Sequence, residues 1–334
     1  MSQVSGAWLA LRTERRREAG WHLRRVHAEA SCDLYAGVQQ PGGILMLVLE
    51  IPVTDVPSDL SLPQSRGFSV EISLTGSSSA GVVRYALILA DAAYEGVFGI
   101  LCSDVAAMAA VPSRRADALR SWVRQLHVWQ DFVARHGPGG MSEEAVIGLM
   151  GEMIIMRDHL QPLMGIRAVL DTWAGPDAEP NDFGLPAGFL EVKTTSRQAP
   201  ALIQISNAAQ LDDRRGAIIL AHVHLRPDPG GITLPDLTGS IREALRRDAP
   251  DRIAGFDTQL RDAGYLEAQA GLYERRFALD HIDFYRVNDE FPRLTPGDLR
   301  PGIENCRYTI QVSACAPFRA PVACVGELVG RPGA

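Results

Sequence analysis

A chain of 334 residues is longer than one minimal core needs, so two domains or one decorated domain are expected. Its apolar fraction of 46% and charged fraction of 22% are ordinary for a soluble globular protein. The net charge of −7 argues against a protein that coats long nucleic acid unaided, because phosphate contacts need clustered Lys and Arg; it leaves room for a nuclease whose basic groups are local.

Five cysteines (Cys32, Cys102, Cys306, Cys315 and Cys324) are scattered without a C-x-x-C pair. Their odd number in a long chain argues for reduced, mostly buried thiols rather than a disulfide framework. No segment has signal-peptide shape, and none of about 18 residues reads as a membrane span, so a cytoplasmic protein with no membrane partner is expected.

Residues 6 to about 20 suit a short amphipathic helix carrying Trp8, Leu9 and Leu11; Arg15-Arg16-Arg17 and Arg24-Arg25 make this end basic, a solvated face first and a nucleic-acid or partner contact as the alternative. Strands are expected at 33–38, 44–51, 68–74 and 83–90; the second is apolar on both faces and therefore central. The turn from Gly76 to Gly81 lacks the G-x-x-x-x-G-K pattern of a phosphate loop. With an apolar helix over 91–110, residues 1–112 read as a strand-rich α+β N-terminal domain. Leu119, Trp122, Val123, Leu126, Trp129 and Phe132 recur at helical spacing within 113–136, and the stretch from His136 to Gly140 stops that helix.

A second core region is expected over 113–230. Ser142 can cap a helix over 143–160 whose Glu143 and Glu144 suit the positive end of the helix dipole. From Ala145 to Met156 every residue is apolar or Gly except Glu152. A lone carboxylate on a helix apolar all round must be paired, hydrogen-bonded, cation-bound or protonated. A salt bridge to an arginine and a site carboxylate both remain open. A strand is expected at 166–173, a turn-rich link at 175–180, and a hairpin of strands 181–185 and 188–195. On the second of these, Glu191, Lys193 and Thr195 share one face while Leu190, Val192 and Thr194 share the other. If Asp182 sits on the partner strand, two carboxylates and an ammonium converge. Lys193 is the only lysine in the chain, which points to a need for its compact charge at that place. A strand at 201–205 carries Gln204. Asn207 with Gln210 resembles a capping-box helix start, and Ala217 to Leu225 reads as a buried strand. His222 and His224 share a face of that strand and could pair on zinc. No cysteine or second histidine pair has ligand spacing nearby, so they read as structural histidines. Beyond Pro227 to Gly231, a C-terminal extension over 231–334 is expected to carry helices at 235–248 and 250–263, then strands at 271–287 and 306–314.

Pro180-Asn181-Asp182 followed by Glu191-Val192-Lys193 resembles the signature of the PD-(D/E)XK nuclease superfamily, with one residue inserted in the "PD". Glu152, in Gly148-Leu149-Met150-Gly151-Glu152, resembles the helix glutamate of many members. The chain is also similar to a bacterial family described only as "PD-(D/E)XK motif protein", whose genes tend to lie in restriction or phage-defence clusters. The stretches Glu191 to Thr195, Ile205 to Asn207 with Gln210-Leu211, Phe291 to Leu294, and Arg307-Tyr308 carry that likeness. The resemblance implies an α/β fold with a restriction-endonuclease-like core of helix, three-stranded meander, helix and strand. It implies metal-assisted hydrolysis of DNA, with Asp182, Glu191 and the Val192 carbonyl on Mg²⁺ (or Mn²⁺), Glu152 completing the shell or holding a second ion, Lys193 orienting or activating water, and Thr195 and Gln204 as weaker rim candidates, Gln204 reading first as a hydrogen-bonded strand residue. DNA, other defence-system proteins and a second copy of the chain are the partners implied. The alternative is a non-catalytic nuclease-fold subunit that binds DNA or a partner protein in a larger complex.

Overall fold

The protein is described by a computed structural model covering residues 2–14, 18–76, 81–174, 180–196 and 202–330. The arginine run 15–17, most of the Gly/Ser turn (77–80), the link at 175–179 and Ala201 lie outside the described residues.

The chain forms two compact units, Met1–Gly140 and Met141–Ala334. These boundaries differ from the expected breaks at 112 and 230. The helix after 113 belongs to the first unit, because its apolar stripe packs on the preceding helix. The segment after 230 belongs to the second unit, because its strands complete the sheet that carries the candidate site.

The first unit holds α1 (Gln3–Thr13), β1 (Gly20–Val26), β2 (Asp33–Gln40), β3 (Ile44–Pro52), β4 (Phe68–Thr75), β5 (Val82–Leu89), α2 (Glu95–Ala110) and α3 (Arg115–His136). Its antiparallel sheet runs β1-β2-β3-β5-β4, so the strand apolar on both faces is indeed the middle one. β1 was not expected: its Arg24-Arg25 pair reads as a polar surface, but Leu23 and Val26 join the pleat against β2. The segment Ala92–Ala110 is, by length and composition alone, apolar enough to cross a membrane, contrary to the expectation that no such stretch exists. In the fold, Val97, Phe98, Leu101, Cys102, Val105 and Ala109 of α2 are buried within this unit.

The second unit runs α4 (Glu143–Ile155), a π turn over Met156–Leu160, α5 (Gln161–Met164), α6 (Ile166–Thr172), β6 (Phe183–Leu185), β7 (Gly188–Thr195), β8 (Leu202–Ile205), β9 (Ala217–Ile232), α7 (Leu234–Asp248), α8 (Ile253–Asp262), β10 (Phe277–Val287), β11 (Tyr308–Gln311), α9 (Val312–Cys315), β12 (Arg319–Ala320) and α10 (Ala323–Leu328). Its main sheet has the order β12-β10-β9-β7-β6; among the described residues, only the β7–β9 pairing is parallel. The helical layer on one face buries Met150, Met153, Ile154, Leu190, Val192, Leu237 and Ile241 in one core. The other face carries a smaller core of Ile203, Ile205, Leu211, Leu220 and Tyr285 under β8 and β11.

Four expectations for this unit are corrected. Residues 166–172 form a helix, because Ile166, Val169 and Leu170 are buried at i, i+3 and i+4 spacing, a pattern that overrides their β-branched content. The three-stranded meander is a two-stranded hairpin, because β8 leaves the sheet to pair with β11. The Asn207 cap starts only a 3₁₀ turn over Ala208–Leu211, which Asp212 ends by capping a second short turn. β9 continues through Pro227 and Pro229, because β7 ends opposite His224 and leaves β9 an edge where proline loses no ladder bond. Gly231 allows the close pass there: a Cβ would stand 2.3 Å from the Phe277 carbonyl oxygen.

Candidate metal centre

β7 and α4 meet back to back, and one glycine sets how closely. A Cβ on Gly151 would lie 1.8 Å from Thr194 Oγ1 and 3.0 Å from Thr194 Cβ. This contact brings the next helix residue, Glu152, toward the strand. Trp173, at the end of α6, donates from Nε1 to Glu152 Oε2 at 2.8 Å. Trp173 also bridges to Phe183 of β6, and the Ala174 N–H donates to the Asp182 carbonyl at 2.9 Å. The same short segment therefore holds both Glu152 and the start of the β6–β7 hairpin. Gly151→Ala is expected to destabilise the protein by about 1–3 kcal/mol through overpacking, with Thr194→Ala in the same chain recovering part of the loss. Urea unfolding of the single and double variants measures this; a neutral Gly151→Ala would mean that α4 and β7 are not so close.

The hairpin places the remaining groups. The Val192 N–H donates to Asp182 Oδ2 at 2.7 Å, which fixes Asp182 beside the middle of β7. Glu191 is fully buried. Its Oε2 accepts from Asn181 Nδ2 at 3.1 Å, and Asn181 donates onward to the Gln210 carbonyl at 2.6 Å. Lys193 Nζ lies 2.8 Å from Glu191 Oε1 and donates to Gln210 Oε1 at 3.1 Å. The Gln210 side chain is itself held by the Ser206 N–H at 3.0 Å. Glu191 Oε1 is buried, and among the described residues the Lys193 ammonium is the neighbour that compensates it.

Three carboxylates thus surround one ammonium out of bulk water. Burial first, then the Asp182 charge, pushes Glu191 up to about 8 and Glu152 up to about 8. Burial also raises Asp182, against the pull of Lys193 and of the Val192 N–H. For Lys193, burial opposes the charge, but Glu191 and Asp182 outweigh it and its pKa rises.

The candidate residues do not all converge. Glu152, Asp182, Glu191, Val192 and Lys193 do. Thr195 faces along the same side of β7 but pairs with His222 (Oγ1 to Nε2, 3.0 Å). Burial, then the neighbouring His224 and His281, lowers His222 to about 3. Gln204 is exposed on β8, opposite Thr309. Asn181, Trp173 and Gln210 carry positioning contacts that were not assigned from sequence. Asn181 stands inside the signature itself. Trp173 and Gln210 are distant in sequence, and only the fold brings them in.

A family model described as "Putative PD-(D/E)XK family member" (DUF4420) matches residues 4–313. The chain belongs to this family. The match takes in both units and all the residues above, so the DUF4420 assignment rests on more than the short acid-lysine motif. The PD-(D/E)XK family has a nuclease-like fold and generally uses divalent metals, and the mixed α/β sheet of the second unit is compatible with that fold. Comparison with curated proteins and with solved structures finds no match to either.

Proposed function

We propose that this DUF4420 chain is a divalent-metal-dependent DNA endonuclease acting with other proteins in a restriction or phage-defence system. One observation carries the reading: three buried carboxyl groups, Glu152, Asp182 and Glu191, crowd around the chain's only lysine. The donor set fits Mg²⁺ or Mn²⁺, because hard carboxylate and carbonyl oxygens suit these ions. Asp182 and Glu191, with the Val192 carbonyl, would hold the ion, and Glu152 would complete the shell. When bound, the ion supplies charge stabilisation at the scissile phosphate and a lowered pKa for water.

The chain's own groups do the rest. Asn181 and Lys193 keep the Glu191 carboxylate oriented from its two oxygens. Lys193 presents a protonated amine at the edge of the carboxylate cluster, suited to orient the attacking water and to stabilise charge growing on phosphate oxygens. Gln210 steadies that amine. Trp173 aims Glu152. The net charge of −7 favours reliance on a partner to bring DNA to the site, and a second copy of the chain would allow both strands to be cut.

The test is plasmid DNA incubated with the protein and Mg²⁺ or Mn²⁺, beside Asp182→Asn. Cleavage that needs the ion and disappears in the variant is expected. Equal cleavage by the variant, or none with any partner present, would leave the chain as a nuclease-fold binding subunit.

A further inference from the structure

The sheet face that bears Glu191 and Lys193 continues sideways into a second group of chemistry-bearing residues. In the parallel β7–β9 register, Lys193 is opposite His222 and Thr195 is opposite His224. In the antiparallel β9–β10 register, His222 is opposite Asp283 and His224 is opposite His281. Two rows therefore cross three strands: Lys193, His222, Asp283, and Thr195, His224, His281. Side chains two apart on a strand share a face, so all six point the same way. The two histidines of β9 looked isolated in the sequence because their partners lie about 60 residues on, counted between paired positions in the β9–β10 register.

The donors of His224, His281 and Asp283 lie within 4.8 Å of one another. The rings of His224 and His281 stack with centroids 4.0 Å apart, and His222 lies 3.9 Å from His224. Among the described residues, His224 Nε2 is buried with no hydrogen-bond partner, and so is Nδ1 of the fully buried His222. A buried ring nitrogen left unpaired costs free energy, which a bound ligand atom would offset.

His281 is arranged as an oriented ligand. Its Nδ1 is 2.9 Å from Asp280 Oδ2, the residue extruded where the register shifts between Leu279 and His281. A carboxylate on Nδ1 fixes that proton and leaves Nε2 as the lone-pair nitrogen, the usual second-layer arrangement around a metal-bound imidazole. Nε2 then faces Asp283 Oδ2 at 3.7 Å, too long for a hydrogen bond. Two ligand atoms on a tetrahedral ion with bonds of about 2.0–2.1 Å sit roughly 3.3 Å apart, so a small closure suffices.

Asp283 Oδ2 also meets the Arg319 guanidinium at 3.0 Å and the Tyr285 hydroxyl at 3.2 Å. Arg319 is mostly exposed, with a side chain 62% accessible, and can swing clear or share the carboxylate. Tyr285 holds Asp283 in place.

We propose that His224, His281 and Asp283 bind one zinc-type divalent ion, with His222 as the packed wall behind it and Asp280 orienting His281. Two imidazoles and one carboxylate suit first-row transition ions over Mg²⁺, so this site and the carboxylate centre beside Lys193 select different metals. Three protein ligands and the exposed edge at His281 leave a coordination position open to water or a substrate oxygen.

The experiment is metal binding on the purified full-length chain, with Zn²⁺ by calorimetry and Co²⁺ by visible absorption. One ion per chain is expected, with the intense Co²⁺ bands of low-symmetry nitrogen coordination, unaffected by excess Mg²⁺. His281→Ala, an exposed residue whose loss leaves the core intact, should weaken binding about 100-fold or more; Asp280→Asn should weaken it about 10-fold. Asp182→Asn should leave both the stoichiometry and the Co²⁺ spectrum unchanged. Sub-stoichiometric Zn²⁺, equal affinity in His281→Ala, or loss of the spectrum in Asp182→Asn would each overturn the site. None of these readouts depends on DNA cleavage.

Discussion

If the chain is the proposed nuclease, Lys193→Ala is expected to lower metal-dependent cleavage of DNA by about 10²–10⁴-fold while the protein stays folded. That is the range for losing one preorganised charged group aimed at a reacting centre. The stability of the variant follows from where its partner is. Removing one member of a buried ion pair commonly costs about 3–5 kcal/mol, because the other charge is left uncompensated. Glu191 has a way out, since burial already holds its carboxyl near 8 and it can keep a proton once the ammonium is gone. The variant should therefore be nearly as stable as the parent at pH 6 and clearly weaker at pH 8. Lys193→Arg tests shape as well as charge. The amine fits between Glu191 Oε1 at 2.8 Å and Gln210 Oε1 at 3.1 Å, with a side chain only 16% exposed, and a planar guanidinium does not fit that geometry. Arginine should recover part of the stability at pH 8, through its charge, but not cleavage. Plasmid nicking rates together with melting curves at both pH values measure these effects; cleavage by Lys193→Ala within about threefold of the parent would sink the assignment.

The second large effect is a pH dependence that a divalent ion cancels. Glu152 and Glu191 are raised from 4.5 to about 8 in the folded protein, and Asp182 is raised too. The folded state thus binds more protons than the unfolded chain between these values. Stability from the protonated carboxyls is complete below about pH 4.5 and is lost as pH rises through about 8. Lys193, shifted upward from 10.5, does not titrate inside this window. The three acids share protons, so the loss counts once for the cluster, on the order of 3–5 kcal/mol. Without metal, the melting temperature of the second unit should fall by about 10 °C between pH 5.5 and pH 8. Mn²⁺ should restore most of this at pH 8 and little at pH 5.5, because the ion takes the place of the protons. Calorimetry in buffers of different ionisation enthalpy should then count about one or two protons released per ion at pH 7. Glu191→Gln should flatten the pH slope and abolish the Mn²⁺ effect. A melting temperature without metal that is flat from pH 5.5 to 8 would contradict the buried-acid picture.

Much of this was readable in the chain, for local reasons. The strand bearing Glu191 and Lys193 announces itself by period-2 alternation, and β3 by apolar residues on both faces. Glu152 stands out as the one charge in an otherwise apolar helical run, and Lys193 as the one lysine in 334 residues. Ser142 caps α4 as its position suggests, its side chain accepting from the Ala145 N–H. These signals need only neighbours within a turn or a hairpin. In the stretch 166–172 composition and spacing disagree: its Val and Ile suggest strand, while its buried positions follow a helix.

The chain by itself thus determined which residues carry charge into an apolar setting. The tertiary structure alone decided what surrounds them. Trp173 reaches Glu152 across 21 positions, Gln210 reaches Lys193 across 17, and β8 leaves the sheet for a partner about 100 residues on, counted between paired positions. His222 and His224 show how strong that effect is. In sequence they are two histidines without company, and across the β9–β10 register they acquire His281 and Asp283. Strand pairing is set by hydrogen bonds and buried surface summed over whole elements, so no local pattern announces which distant side chains will share a face.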